Sequence, residues 1–131
     1  MDDDIRVRVG SDVEIVLARQ RGRELAAQLG FSLSDQTIVA TAISELARNI
    51  VLYAKRGEIL LRAAEDNGRS GIVVVAQDEG PGIADLGLAM QPGNSSSGGL
   101  GLGLSGVRRL MDEFEIETAV SGTTITVRKW R

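Results

Sequence analysis

An acid and an amide stand four residues apart at Glu45 and Asn49, within the stretch Ser-Glu-Leu-Ala-Arg-Asn at residues 44–49. In a helix this spacing brings both side chains out on one face, one above the other. An amide oxygen is a suitable ligand for Mg²⁺, and a carboxylate one turn earlier can take a proton from an attacking hydroxyl. Two solvated side chains on a helix give the same pattern, so the pair alone leaves both interpretations open.

A second candidate is the stretch Asp-Glu-Gly-Pro-Gly at residues 78–82, which follows an aliphatic run at residues 72–77. An aspartate at the end of a buried strand is a fixed hydrogen-bond acceptor, and neighbouring glycines let a ligand approach the backbone closely. Such an acceptor suits an exocyclic amine, as on adenine. A simple turn after the strand is the alternative.

A third candidate is the glycine-rich run Gly-Gly-Leu-Gly-Leu-Gly at residues 98–103. It leads from a predicted loop into a predicted helix, where free N–H groups without obstructing side chains suit a phosphate. It is neither a P-loop, because no Gly-Lys-Ser/Thr follows, nor a dinucleotide fingerprint, because no strand precedes it. A flexible linker that caps a helix explains the run equally well.

The composition excludes several other chemistries. The 131 residues include no histidine and no cysteine, which rules out a Ser-His-Asp triad, a phosphohistidine intermediate and a thiolate metal site. Aromatic content is 3% and net charge is −3, so we expect no binding to nucleic acid or to an anionic membrane surface. With an acidic start and no apolar run of about 18 residues, the chain is expected to be soluble and cytoplasmic.

Two helices and an edge strand are predicted in the first half of the chain. Alternation at residues 5–9 predicts a half-buried strand near a sheet edge. The first helix begins at Ser11 or Asp12 and ends at Gly30, and its predicted core stripe comprises Val13, Val16, Leu17, Leu25 and Leu29. The second helix is capped by Ser34 or Asp35 and ends near basic residues 55–57, and its predicted core stripe comprises Ile38, Ala42, Leu46 and Ile50.

Strands dominate the second half. They are predicted at residues 58–65 and 72–77 around an Asp-Asn-Gly turn, and at residues 114–120 and 123–129 around a Ser121-Gly122 turn. The intervening segments predict a short helix at 83–90, a mobile loop at 91–99 and a helix at 101–113. We therefore expect one α/β domain over residues 1–131, a two-layer α/β sandwich whose mixed, largely antiparallel sheet is covered by helices on one face.

Together and in this order, the three candidate stretches resemble the Bergerat-fold ATPases, the superfamily of gyrase, Hsp90, histidine kinases and MutL. The resemblance rests on Glu-x-x-x-Asn, Asp-x-Gly-x-Gly, Gly-x-Gly and a late Gly-Thr, and it extends over nearly the whole chain. It implies the Bergerat ATP-binding fold, with ATP and Mg²⁺ as cofactors.

The resemblance also implies roles by position. Asn49 would bind Mg²⁺, and Asp78 would contact the adenine amino group. The remaining positions would surround the nucleotide: Gly80 and Gly82 the adenine pocket, Thr123 the base, and Gly99, Gly101 and Gly103 the phosphates.

Within this superfamily, the small size and the absence of histidine are similar to the stand-alone bacterial serine/threonine kinases of partner-switching systems. Residues 42–50, 78–83 and 109–114 look most like the RsbT-type switch kinases of the stressosome. Anti-sigma kinases tend to carry a basic residue where this chain has Gly99, and a histidine is often found where it has Tyr53. The resemblance implies STAS-domain substrates and a PP2C-type phosphatase activated by binding, and related kinases can be homodimers.

We therefore expect an ATP-dependent serine/threonine protein kinase of bacterial stress signalling, with Glu45 as its catalytic residue. One alternative is an anti-sigma factor kinase that sequesters a sigma subunit, against which Gly99 argues. The other is a non-enzymatic nucleotide-gated adaptor, against which Glu45 argues, because a pure binder needs no base there. The roles of Arg48, Tyr53 and Lys55 are left open.

Overall fold

The computed structural model describes residues 4–80 and 103–131, and these residues form five strands and three helices. In chain order they are β1 (Ile5–Val9), α1 (Asp12–Gln28), α2 (Leu33–Tyr53), β2 (Gly57–Asp66), β3 (Arg69–Asp78), α3 (Gly103–Leu110), β4 (Glu113–Ala119) and β5 (Gly122–Trp130). The predicted helix at 83–90 and the predicted loop at 91–99 lie outside the described residues.

The five strands form one sheet in the order β1-β2-β3-β5-β4, and each neighbouring pair is antiparallel. The sheet was predicted to be mixed and largely antiparallel, and the described strands are antiparallel throughout. The predicted edge strand at residues 5–9 is confirmed as β1, and the aliphatic run at 72–77 is confirmed within the central strand β3. Asn67 and Gly68 both have positive φ, 52° and 80°, and make the predicted two-residue turn between β2 and β3.

The helices cover one face of this sheet, which confirms the predicted two-layer α/β sandwich. One continuous core joins α2 to the strands through fully buried side chains such as Ile43, Leu46, Ile59, Leu61 and Val74. Because α2 contributes eight buried residues, it is the best-anchored helix of the described chain. A side chain on α2 is therefore held in a fixed position relative to the sheet.

The predicted core face of α1 is wrong for its first half. Val13 is 77% exposed, Val16 39% and Leu17 42%, although Leu25 and Leu29 pack against the core as predicted. The buried face instead comprises Ile15, Ala18, Gly22 and Ala26.

The reason for this face is the close approach of α1 to α2. A Cβ atom at Gly22 would overlap the Cδ1 atom of Ile43, so the contact requires a residue without a side chain. Gly22 is therefore a packing residue and not the weak point that its position inside a helix predicts. Because small residues occupy the face of α1 that contacts α2, the larger apolar residues of α1 lie on the solvent side.

Several element boundaries differ from the predictions. The N-cap of α2 is Ser32, whose hydroxyl accepts a hydrogen bond from Asp35 N at 3.1 Å, two residues before the predicted cap. The helix ends at Tyr53, so the basic residues predicted for its last turn follow it, and Lys55 has φ 71°. Helix α3 ends at Leu110, before the predicted end at residue 113, because Asp112 N donates to Arg128 O on β5. The predicted first residues of this helix, 101 and 102, lie outside the described residues.

The turn between β4 and β5 also differs from its prediction. Ala119 pairs with Gly122, so the turn residues are 120 and 121, and Gly122 is the first residue of β5. Gly122 has φ 149°, and a Cβ atom there would collide with the backbone oxygen of Asp78. The glycine is therefore required by the close approach of β5 to the end of β3.

Candidate active site

Helix α2 holds Glu45 almost completely buried, with 4% of its surface exposed. Its Oε2 atom accepts a charge-assisted hydrogen bond from Arg48 Nη1 at 2.8 Å. A buried carboxylate needs such a partner to remain charged, and the pair fixes the orientation of the Glu45 side chain. Glu45 is thus buried, which contradicts the alternative that it is a solvated side chain on the helix surface.

Asn49 lies one turn after Glu45 on the same helix and is partly buried. Four residues correspond to a rise of about 6 Å along the axis, so both side chains belong to one strip of α2. The neighbouring residue Ile50 anchors this turn in the core. The prediction that Glu45 and Asn49 lie on one face of a helix is therefore confirmed.

The end of β3 places Asp78 beside Thr123. Asp78 pairs with Gly57 on β2 and with Thr123 on β5 in the sheet register. Thr123 is buried, and its Oγ1 atom lies 2.8 Å from Thr118 Oγ1 on β4. The structure therefore brings together two candidate residues that are distant in sequence.

The carboxylate of Asp78 is held by the backbone of the residues that follow it. Its Oδ1 atom accepts a hydrogen bond from Gly80 N at 3.0 Å. No other hydrogen bond from the described residues occupies this carboxylate, so Oδ2 is available to a donor outside the fold.

Gly80 packs directly against the end of α2. A Cβ atom at Gly80 would lie 2.6 Å from Ala54 Cβ and 2.8 Å from Ala54 Cα. At Gly57, a Cβ atom would lie 2.9 Å from Ile50 Cγ2 and 3.1 Å from Asp78 Cβ. These contacts join the C-terminal half of α2 to the end of β3, so the helix of Glu45 and Asn49 meets the strand of Asp78.

The last part of the glycine-rich run begins a helix, as predicted. Gly103 is the first residue of α3, is buried, and has φ 57°, a conformation that favours glycine. Helix α3 packs against α2, the helix of Asn49. Gly82, Gly99 and Gly101, the other glycines predicted to contact the nucleotide, lie outside the described residues.

A polar groove between α1 and α2 was not predicted. It has a volume of about 520 Å³, and its lining includes Arg19 and Arg23 from α1 and Thr41, Ser44, Glu45 and Arg48 from α2. The spacing of these residues contained a signal, because 19 and 23, and also 41, 44, 45 and 48, recur at helical intervals.

None of the helices in the described ranges 4–80 and 103–131 is both long and apolar enough to cross a membrane.

Comparisons with known proteins agree with this fold. Residues 11–129 match the family model of the histidine kinase-like ATPase domain. Serine/threonine-protein kinase RsbT of Bacillus subtilis (strain 168) is 50% identical over 131 residues, which cover 99% of this chain and 98% of that protein. This relative agrees with the kinase class predicted from the sequence.

A second relative carries another name. The anti-sigma F factor of Caldanaerobacter subterraneus subsp. tengcongensis is 34% identical over 112 residues, or 80% of this chain and 77% of that protein. Among solved structures, the RsbU and RsbW domains of Rv1364c from Mycobacterium tuberculosis match with a TM-score of 0.64 and 23% identity. The match covers 98% of this chain and 33% of that one, and at this identity it shows a common fold.

Proposed function

Since the chain belongs to the histidine kinase-like ATPase domain family, we propose that it is a serine/threonine protein kinase that transfers the terminal phosphoryl group of ATP to a regulatory protein. The observation that carries this proposal is the buried Glu45 carboxylate, fixed by Arg48 on the strip of α2 that also presents Asn49. A protein that only binds a nucleotide gains nothing from a buried, oriented carboxylate at that position.

The adenine end of the nucleotide is assigned to Asp78. Its free carboxylate oxygen is a fixed acceptor for the amino group of adenine, and Gly80, packed against Ala54, holds the other oxygen through its N–H group. Thr123 lies next to Asp78 in the register and would border the base, with Gly82 completing the pocket.

The phosphates are assigned to the segment between Asn49 and α3. Mg²⁺ prefers oxygen ligands and usually keeps waters and phosphates in its shell, so a single amide oxygen from Asn49 is a suitable protein contribution. The described residues contain no cluster of three acidic side chains that would hold a metal without the phosphates. Bound there, Mg²⁺ would offset the charge on the phosphates. Gly103, with Gly99 and Gly101, would border the phosphates.

Glu45 is assigned to the acceptor hydroxyl. Its carboxylate would orient the hydroxyl and take its proton as the oxygen attacks phosphorus. Arg48 holds the carboxylate in one position, which limits the loss of entropy in reaching the reactive geometry. Positioning of this kind, with electrostatic stabilisation, supplies most of the catalysis in phosphoryl transfer.

We further propose STAS-domain proteins as substrates and a PP2C-type phosphatase as a second, binding partner, in the cytoplasm. The resemblance of residues 42–50 and 78–83 to the RsbT type supports these partners. Phosphorylation adds about −1.5 to −2 charges to a docking surface and thereby releases the substrate, so the kinase becomes free to bind the phosphatase. We also propose that two copies of the chain form a homodimer, which is supported only by the resemblance to the switch kinases.

A binding function in addition to the kinase activity is the second candidate, because the 34% identical relative is an anti-sigma factor. Capture of a sigma subunit by the purified chain in the presence of ATP would support it. Absence of such a complex at micromolar concentrations would exclude the sigma-binding function and favour the switch kinase alone.

The test of the main proposal is transfer of labelled phosphate from ATP to proteins that co-purify with the chain, followed by mapping of the modified residue. Label on a serine or threonine of a STAS-domain protein is the expected result. Nucleotide binding without transfer to any captured protein would favour a nucleotide-gated adaptor.

Gly80→Ala is expected to weaken ATP binding by about 10-fold or more without unfolding the chain. The added methyl group would meet the backbone of Ala54 and push Asp78 away from its position beside Thr123. Calorimetric titration with ATP measures the effect. Gly10→Ala is the matched control, because a Cβ atom there meets no atom closer than 3.4 Å. Equal ATP affinities for the two variants would contradict the assigned place of Gly80.

A further inference from the structure

The groove between α1 and α2 is positively charged, although the whole chain has a net charge of −3. Among the described residues that line it are three arginines, Arg19, Arg23 and Arg48, and one acidic residue, Glu45. The local charge is therefore opposite to that of the protein as a whole. Such a local concentration of one sign attracts groups of the other sign.

The guanidinium groups of this groove are incompletely used by the fold. Arg48 pairs with Glu45, and Arg23 Nη2 donates to Thr37 Oγ1 over a long 3.3 Å. Within the described part of the chain, no hydrogen bond or ion pair occupies the Arg19 guanidinium. Each arginine has five N–H donors in a geometry that matches a carboxylate, so most of this capacity is not used by the described part of the chain.

The groove adjoins the reacting end of the proposed ATP site. Along α2, the contact with Gly80 lies at Ala54, Asn49 comes next toward the N-terminus, and Glu45 follows at the wall of the groove. A nucleotide whose base lies at Asp78 and whose phosphates lie at Asn49 points its last phosphate toward Glu45. Glu45 lines the groove, so an acceptor hydroxyl in the groove can reach its carboxylate.

From these observations we infer that the α1–α2 groove binds an acidic segment of the protein substrate, adjacent to the serine or threonine that is phosphorylated. This inference rests on the proposed kinase function, because it takes Glu45 as the residue that meets the acceptor hydroxyl. Arg19 and Arg23 bind carboxylates of the segment, and the hydroxyls of Thr41 and Ser44 line the path between those arginines and Glu45. A volume of about 520 Å³ lies in the range of sites that enclose several side chains or a small ligand.

The groove is matched to carboxylates beside a hydroxyl more closely than to a basic or apolar segment. A lysine or arginine of a partner would meet three like charges, which costs binding energy. An apolar segment would leave guanidinium and hydroxyl groups without hydrogen bonds. The groove therefore selects substrates that carry negative charge next to the serine or threonine that is phosphorylated.

The test uses three capped heptapeptides with a central serine, flanked on both sides by aspartates, by asparagines or by lysines. Binding to the full chain is followed by NMR through the backbone amides of Thr37, Thr41 and Ser44, which lie along the groove. We expect the aspartate peptide to bind at least about 10-fold more tightly than the asparagine peptide, and its affinity to fall with added salt. Equal binding of the three peptides, or no response of the groove amides, would overturn the inference.

Charge reversal locates the effect. Arg19→Glu combined with Arg23→Glu is expected to abolish binding of the aspartate peptide, whereas Arg21→Glu is expected to retain it. Arg21 is the matched control, because it is exposed on the same helix but does not line the groove. A loss of the same size in both variants would overturn the inference, and thermal unfolding verifies that both chains are folded.

Two further measurements separate the possible causes of failure. Calorimetry with ATP on the same samples tests the proposed function: ATP binding without peptide binding refutes only the groove, whereas an absence of ATP binding refutes the kinase. Sodium phosphate at the peptide concentration tests the kind of anion. An equal response of the groove amides to phosphate would overturn the assignment to carboxylates of the substrate.

Discussion

Asp78→Asn is expected to lower the affinity for ATP by about 100-fold while the fold stays intact. Gly80 N donates to Asp78 Oδ1, and an asparagine oxygen would keep that bond. The amide nitrogen would then occupy the place of Oδ2 and present a donor to the amino group of adenine, which is also a donor. Loss of a hydrogen bond to a charged group costs about 1.5–3 kcal/mol, and the opposed donors increase this cost.

The measurement is calorimetric titration of both chains with ATP and with inosine triphosphate, whose oxygen replaces the amino group. The loss of affinity should be much smaller for inosine triphosphate than for ATP, because the new amide can donate to that oxygen. Asp66→Asn is the control, since Asp66 is the exposed last residue of β2 and makes a long 3.7 Å ion pair with Arg69. Near-normal ATP affinity of Asp78→Asn would remove Asp78 from the adenine site.

Individual strands and turns of the sheet could be predicted from local sequence patterns, but the pairing between strands could not. Three features have a signature within a few residues: an alternating edge strand, an aliphatic central strand and an Asp-Asn-Gly turn. The observed β1, β3 and the turn between β2 and β3 agree with these signatures. Local signatures do not contain strand register. That Asp78 stands opposite Thr123, and that Gly122 is required by the approach of β5 to Asp78, follows from pairing between distant segments.

Helix α1 shows why amphipathic patterns can identify the wrong face. The larger apolar residues Val13, Val16 and Leu17 have the expected period, but a helix that packs closely on another needs small residues at the contact. Ala18, Gly22 and Ala26 provide that contact, and only the position of Ile43 on α2 explains why Gly22 has no side chain. The burial of α1 depends on its neighbour and is not contained in its own sequence.

For the candidate site, the sequence was informative about residue types and uninformative about partners. The four-residue spacing of Glu45 and Asn49 was sufficient to place them on one strip of α2. The ion pair of Glu45 with Arg48 was not predicted, because an arginine three residues from a glutamate is common and usually of little consequence on a solvated face. Because Glu45 is buried, the ion pair matters here: a buried carboxylate requires that partner.

Glu45→Gln is expected to reduce the rate of phosphoryl transfer by about 100- to 10,000-fold, with ATP affinity changed by less than about 3-fold. Glutamine has the same shape, and its amide oxygen still accepts the hydrogen bond from Arg48, so the side chain keeps its place. It cannot accept a proton from the substrate hydroxyl. Single-turnover transfer of labelled phosphate to the captured substrate measures the rate, and calorimetry measures ATP binding.

This variant separates a catalytic role of Glu45 from a structural one more sharply than Glu45→Ala, which would also leave Arg48 without its buried partner and create a cavity. If Glu45 acts only through its ion pair, Glu45→Gln will change the free energy of unfolding and leave the transfer rate unaltered. If Glu45 takes the proton, the rate will fall in Glu45→Gln and fall less in Glu45→Asp, which keeps a carboxylate at a greater distance. The ranking of these two variants therefore decides whether the ion pair with Arg48 positions a base or only holds two helical turns together.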